Sequence, residues 1–422
     1  MDYSKTYERR LVAIMFLTWG TVFLDRMTQL YLAPYFAADL HLGPEAIGIM
    51  ASVLAITWAI SSFGFGMISD RVGRRPILIP MVVIFSLLSW VTGLVRNFQQ
   101  MILARGLMGA AEGPCWSVMN AVVEQSSHPQ RRGRNVGIVV SAAAAIGLAL
   151  APVLSTQVAA RFGWRVAFFV AGLPGLILAL FIWKYIKEPS VFEVGQGAGK
   201  HAHGHRLSLH DVLQVFRYRN IWLCCLGNAG FVAWLILQNA FGPLYITAVA
   251  HQAPTTAGFL LGAAGVGSFV VGMAFPILSD RIGRKPVLLV ASALSILLPL
   301  AIAHLPFYRH VWLLALVLGC TQGGQALAAL FMVLVPTETV PRALAATAIG
   351  LVTLFGEIFG SVVAPALAGA LAKAHGLAVP MYMAAGGAAL AFVASLFLAE
   401  TLASGSAESA LTAGVDAHAA KA

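Results

Sequence analysis

Charged residues are scarce in this chain. Asp, Glu, Lys and Arg make up 10% of its 422 residues, and hydrophobic residues 59%. A soluble domain carries about 25% charge, so a soluble fold with an ordinary polar surface is excluded. Cysteine is rarer still. Cys115, Cys224, Cys225 and Cys320 all lie in apolar stretches, without paired extracellular or metal-ligand spacing, and read as buried free thiols. No GxxxxGK[ST] loop is present, so nucleotide hydrolysis has no phosphate cradle. No nucleophile–base pair or metal constellation stands out, which argues against an enzyme; no metal or other cofactor is expected. The first apolar run, from Leu11, is too long for a signal-peptide core, and no small-residue cleavage site follows it. It reads as a membrane span.

Long apolar runs are what the chain has in abundance. Stretches of about 20 residues, the length that crosses a bilayer as a helix, fall near 11–33, 46–68, 77–95, 99–124, 135–158, 166–186, 220–245, 255–278, 286–304, 311–335, 344–372 and 377–400. Twelve helices are predicted, because backbone groups in hydrocarbon must bond internally and no alternating barrel pattern appears. The net charge of +10 follows the loops. With the N-terminus in the cytoplasm, twenty of the 27 Lys and Arg residues lie in inner segments, among them Arg9, Arg10, Arg131 and Arg132. Arg96, Arg161, Arg165, Arg309 and Lys373 lie outside. This asymmetry predicts cytoplasmic termini, an inner (plasma) membrane location, contact with anionic lipid headgroups and no nucleic-acid partner.

SDRVGRRP at 69–76 returns as SDRIGRKP at 279–286. Each copy follows an even-numbered span and six spans separate them, so both loops face one side. Two six-helix bundles related by an axis along the membrane normal are expected. They occupy residues 1–186 and 218–402, joined by a polar linker at 187–217 and followed by an Ala/Ser-rich tail at 403–422 that reads as disordered. Gly73 and Gly283 permit a tight turn. Asp70 and Asp280 either pair across the bundles as a latch or leave the arginines as anchors of the cytoplasmic face; identical spacing in both copies favours the latch. The loop resembles the signature of the major facilitator superfamily, G-x-x-x-D-R-x-G-R-R, matched by Gly66, Asp70, Arg71, Gly73, Arg74 and Arg75. The second copy keeps Asp280, Arg281, Gly283 and Arg284 and has Pro276 in place of the first glycine. The resemblance covers nearly the whole chain. It implies an all-α membrane protein of twelve transmembrane helices in two pseudo-symmetric bundles, transporting as a functional monomer by alternating access.

A few charges lie inside the spans: Asp25 and Arg26 on span 1, Arg105 and Glu112 on span 4, and Glu357 on span 11. Glu124 and Glu338 lie near cytoplasmic ends and are expected to reach water. A central charge costs about 2.5–3.5 kcal/mol on insertion scales. Arg105 and Glu112 are seven residues apart, close to two turns, so both share one helix face about 10 Å apart. Asp25, Arg26 and Arg105 fall at similar depth. Two acids and two arginines sum to zero, which lets a bundle hold them either as a structural ion-pair cluster or as a working site. In the second reading an organic anion meets an arginine, whose planar donors suit a carboxylate. Protonation of Asp25 or Glu112 then restores neutrality and frees an arginine. Proton and anion move together.

The pair DR on span 1, with RGLMGAAEGP on span 4, is similar to the anion–cation symporter branch of the superfamily, the organic-acid and sugar-acid carriers. That resemblance implies Asp25 and Glu112 as proton carriers, Arg26 as the anion contact and Arg105 in support. Spinster-like carriers of lysolipids and organic anions share much of the pattern. Drug exporters of the superfamily carry Gly-Pro on span 5, where this chain has Ala151 before Pro152. The expected activity is proton-coupled uptake of a small organic carboxylate. A proton-coupled exporter and a Spinster-like carrier stay open.

Weaker signals lie in the second half. Asn228, Trp234, Gln238, Asn239 and Tyr245 on span 7, and Gln322 and Gln325 on span 10, correspond by bundle symmetry to spans 1 and 4. Some should face the cavity; others should bond between helices. Trp234, Gln238, Gln322 and Gln325 are the candidate substrate contacts. Glu357 is a third titrating site or one partner of an interhelical pair. Gly106, Gly109 and Gly113, and Gly356 and Gly360, form small-residue stripes for close helix packing. His201, His203, His205 and His210 lack the cysteines or carboxylates that would complete a metal site.

Overall fold

The computed structural model describes residues 5–188, 214–304, 310–341 and 344–402. Residues 189–213, with the four linker histidines, and the 403–422 tail lie outside them. Among the described residues twelve long helices follow in order: α1 (Lys5–Asp39), α2 (Pro44–Val72), α3 (Arg75–Leu94), α4 (Phe98–Ser126), α5 (Arg132–Phe162), α6 (Trp164–Tyr185), α7 (Arg219–Ala248), α8 (Pro254–Ile282), α9 (Arg284–His304), α10 (Val311–Thr339), α11 (running through Ala345–Phe355, Gly356–Val363 and Ala364–His375) and α12 (Ala378–Phe397). Of these, eleven are long and apolar enough to cross a membrane. The other, α4, has the length, 29 residues. It falls short in composition, because it carries Arg105 and Glu112. Its apolar face still turns outward: Leu103 is 63% and Leu107 49% exposed, as side chains meeting lipid should be. Cys115, Cys224 and Cys225 are buried, but Cys320 is exposed. A thiol is only weakly polar and carries little penalty in either setting, so burial was not required there.

Helices α1–α6 pack into one bundle and α7–α12 into a second. The corner between α2 and α3 recurs between α8 and α9. Gly73 and Gly283 adopt φ of 108° and 101° with extended ψ, a region closed to side chains. Arg74 Nη1 donates to Ser69 Oγ at 2.6 Å, and Arg284 Nη1 to Ser279 Oγ at 2.6 Å. The two serines donate in turn to the carbonyls of Gly66 and Pro276. The contact uses only the carbonyl of that position, so proline serves there as well as glycine.

Each corner is capped by an acid from the end of its own half. Glu188 accepts the Arg74 and Arg75 amides at 2.5 and 2.8 Å, and Glu400 accepts those of Arg284 and Lys285 at 2.8 and 3.0 Å. Arg71 and Arg281 are exposed on the same face. Asp280 pairs with Arg284 in its own loop at 2.6 Å rather than across the bundles; the Asp70 side chain lies outside the described residues. Glu338 is not simply solvated either, since it accepts Arg284 at 2.7 Å and the Thr401 hydroxyl at 2.6 Å.

The bundles meet along the face opposite the termini, in two matching contacts. A Cβ placed on Gly48 of α2 would lie 2.1 Å from the Pro365 carbonyl of α11, and one on Gly258 of α8 2.5 Å from the Pro152 carbonyl of α5. Gly265 likewise leaves no room beside the Leu148 carbonyl. Both α5 and α11 widen into π turns, over Ala143–Leu150 and Gly356–Val363, immediately before Ala-Pro. Proline has no N–H to offer and its ring displaces the carbonyl one turn back, which favours the longer register. In α10, π turns over Ala328–Leu334 also run up to a proline, Pro336, and the helix is broken between Cys320 and Gly324. Ser52 Oγ donates across the seam to the Val362 carbonyl at 2.6 Å, and Lys373 pairs with Glu45 at 2.7 Å. Among the described residues the bundles meet less toward the termini: the main contacts of α4 lie within its own half, and α2 packs on the later segments of α11, Gly356–Val363 and Ala364–His375.

Candidate functional site

Four charged side chains converge where α1 and α4 face each other. Asp25, Arg105 and Glu112 are fully buried, and Arg26 is 9% exposed. Arg105 interacts electrostatically with both Asp25 and Glu112, Glu112 also with Arg26, and the two acids with each other. The stripe Gly109–Gly113 makes this possible. A Cβ on Gly109 would lie 2.3 Å from the Leu54 carbonyl and one on Gly113 2.4 Å from that of Trp58, so α4 sits directly on α2.

The charges are near one another without being bonded. Both carboxylate oxygens of Asp25 and both of Glu112 lack a hydrogen-bond partner. Arg105 donates once, from Nη2 to Thr92 Oγ1 at 2.6 Å, and lies over the Phe168 ring at 5.5 Å; its Nε and Nη1 are unpartnered. Ser89 stands beside Asp25 but gives its hydroxyl to the Phe168 carbonyl at 2.9 Å. Arg26 is flanked by the Trp58 and Phe23 rings, at 5.4 and 5.9 Å. Among the described residues no carboxylate reaches either arginine at ion-pair distance.

Only Arg26 of the four borders the cavity between the bundles. This space, about 310 Å³ with its mouth included, also receives Gln29 from α1 and Ser361 from α11. Both are 1% exposed, and Gln29 Nε2 and Ser361 Oγ have no partner. Sequence reasoning passed over both. A signal was there: Gln29 follows Arg26 by three residues and Ser361 follows Glu357 by four, spacings that share a helix face.

The second-half candidates are not gathered there. Trp234 donates its indole N–H to the Ser295 carbonyl at 2.7 Å and packs on Gly324, inside its own bundle. Gln238 is buried with its Oε1 free of partners. Gln322 is buried in the break of α10, and Gln325 packs against Gly272 of α8. Glu357 is half-buried on the π turns of α11, with Oε2 unpartnered. Tyr245 and Asn228 bond within the bundle, to the carbonyls of Ala303 and Val352 at 2.8 and 2.9 Å. Among the described residues no cluster of His, Cys, Asp or Glu is built to hold a metal ion.

Known proteins share this arrangement. The family described as Major Facilitator Superfamily matches residues 14–359. The chain belongs to that superfamily. Like the superfamily members it matches, it is a multi-pass membrane transporter rather than an enzyme. It is similar to a probable 4-methylmuconolactone transporter of Cupriavidus pinatubonensis, 29% identical over 81% of this chain and 79% of the other. A probable L-galactonate transporter of Escherichia coli is 28% identical over 62% and 60% of the two chains. A hexuronate transporter of Bacillus subtilis is 30% identical over 42% of each, so these two alignments span less than two thirds of those carriers. Among solved superfamily structures, a bacterial homologue of the lysosomal transporter Spinster, inward-facing and unoccupied, gives a TM-score of 0.73 at 18% identity, covering 94% of this chain and 98% of that one. The nucleoside transporter NupG gives 0.68 at 17%, covering 94% and 98%. At such identities these structures share the fold.

Proposed function

We propose that this superfamily member imports a small organic anion together with protons by alternating access. The observation that carries the reading is the unbonded charge cluster: Asp25 and Glu112 stand beside Arg105 and Arg26 with every carboxylate oxygen unpartnered. Buried ionisable groups in spans are functional by default, and a purely structural cluster would be closed into hydrogen-bonded pairs. Arg26, at the cavity, takes the substrate carboxylate through its planar fork. Asp25 and Glu112 take the protons, and Arg105 moves between partners as charge arrives and leaves. The relatives whose names specify lactones and sugar acids support an organic anion as cargo.

The excess of Lys and Arg in the loops on the face of the termini supports a cytoplasmic position for that face. The seam then closes the outer side and the cavity opens inward. Import is tested in proteoliposomes with an inside-alkaline pH gradient. Labelled carboxylate should accumulate in wild type, and Asp25→Asn and Glu112→Gln should each abolish gradient-driven accumulation while exchange at equal pH persists. Accumulation at the wild-type level in both variants removes the coupling assignment. Substrate flux only outward, from inverted vesicles, would make the protein an exporter.

A further inference from the structure

We infer that the cavity at Arg26 takes a largely apolar monocarboxylate with one further hydrogen-bonding oxygen, and discriminates against polyhydroxylated acids. This deepens the anion-carrier reading above and rests on it. Around the guanidinium the wall is made by Met27, Leu30, Ala51, Leu54, Ala55 and Ile236. None of these side chains donates or accepts a hydrogen bond, apart from the weak thioether of Met27. The polar lining besides Arg26 is Gln29 and Ser361, each almost completely buried and each with an atom that nothing satisfies.

An amide N–H and a hydroxyl, both free, define what the bound molecule supplies. Gln29 Nε2 only donates, so its partner is an acceptor: a carbonyl, ether or lactone oxygen. Ser361 donates or accepts, and offers a second polar contact from the facing bundle. Gln29 belongs to the first bundle and Ser361 to the second, so such a ligand ties the two together while its carboxylate rests on Arg26. An acid with a hydroxyl on every carbon meets a different fate. Its extra hydroxyls press on Leu30, Leu54 and Ile236, where water has been lost and no partner replaces it. Each hydroxyl left unpaired weakens binding about tenfold.

The test uses the purified full-length protein and three probes: butyrolactone-γ-carboxylate, cyclohexanecarboxylate and gluconate. Affinities are read by isothermal calorimetry and by ligand-induced thermal shift. The lactone acid should bind tightest, and gluconate at least about tenfold more weakly. Gln29→Leu and Ser361→Ala should each narrow the advantage of the lactone acid over cyclohexanecarboxylate by about three- to tenfold. Gluconate binding as tightly as the lactone acid, with Arg26→Lys still weakening it, overturns this inference and leaves the anion reading standing. Failure of all three to bind, or binding indifferent to Arg26→Lys, overturns both. The wild-type ranking decides the matter even where a variant does not fold.

Discussion

Tyr31 of α1 donates its hydroxyl to Oδ1 of Asn239 of α7 at 2.8 Å, and both residues are buried. The bond joins the two bundles one step beyond the cavity, between it and the closed face. Asn239 is fixed for the role, because its Nδ2 is already given to the Leu235 carbonyl at 2.7 Å. In alternating access this bond must break when the closed face opens. Tyr31→Phe removes about 1 kcal/mol of support for the closed state, which shifts the population about fivefold toward the opposite state. Spin labels at Arg161 and Ala253, at the ends of α5 and α8, should report a larger long-distance fraction by electron–electron double resonance. An unchanged distribution rules out a gating role for the bond.

Arg26→Lys preserves charge and removes the planar fork. Bound carboxylate should weaken at least about tenfold, since one ammonium replaces two parallel donors. Thermal-shift titration of the purified variant measures this against wild type.

Gly48→Val and Gly109→Val separate two kinds of tight packing. A Cβ at Gly109 meets Thr57 Oγ1 and the Leu54 carbonyl within one bundle, so this variant should lose about 1–3 kcal/mol of stability. A Cβ at Gly48 meets the Pro365 carbonyl of the other bundle. Here the bundles part instead: the protein stays folded by circular dichroism, and the same spin-label pair reports an opened seam.

Glu400, beyond the last span, is held below its usual carboxyl range. Burial works against this, but the amides of Arg284, Lys285, Leu402 and Thr401 together outweigh it. A lowered folded pKa means stability that is full above the unfolded value and lost as pH falls through the folded one. Thermal stability should therefore drop by an increment as pH falls below about 4.5, and Glu400→Gln should lack that increment. The same drop in the variant would assign it to other carboxylates.

The membrane spans and the doubled loop were legible because long apolar runs and repeated spacing are carried by composition alone. The charged residues of α1 and α4 stood out for the same reason, since charge in hydrocarbon is rare. What escaped is set by three-dimensional neighbours. PEAIG at 44–48 and PTTAG at 254–258 repeat in the same register as the two SDR loops, yet only the opposing carbonyls of Pro365 and Pro152 reveal the glycines as the seam. The π turns and the break in α10 depend on hydrogen-bond register, which no periodicity reports; other helical prolines, such as Pro114 and Pro174, cause none. Trp234 reads in sequence as a polar-tipped aromatic beside a cavity, and only its bond to Ser295 shows it committed elsewhere. Glu188 and Glu400 each end their half with an acid, a parallel visible only once the corners they cap are known.

The seam of glycines against carbonyls has a mechanical meaning. Interlocked side chains would have to change rotamer before two bodies could separate, and each would leave a dent behind. Backbone resting on backbone leaves nothing to unlatch, so the halves of this carrier can tilt as smooth rigid blocks. The hurdle to reorientation then resides mainly in a few identifiable bridges rather than being spread across the whole boundary.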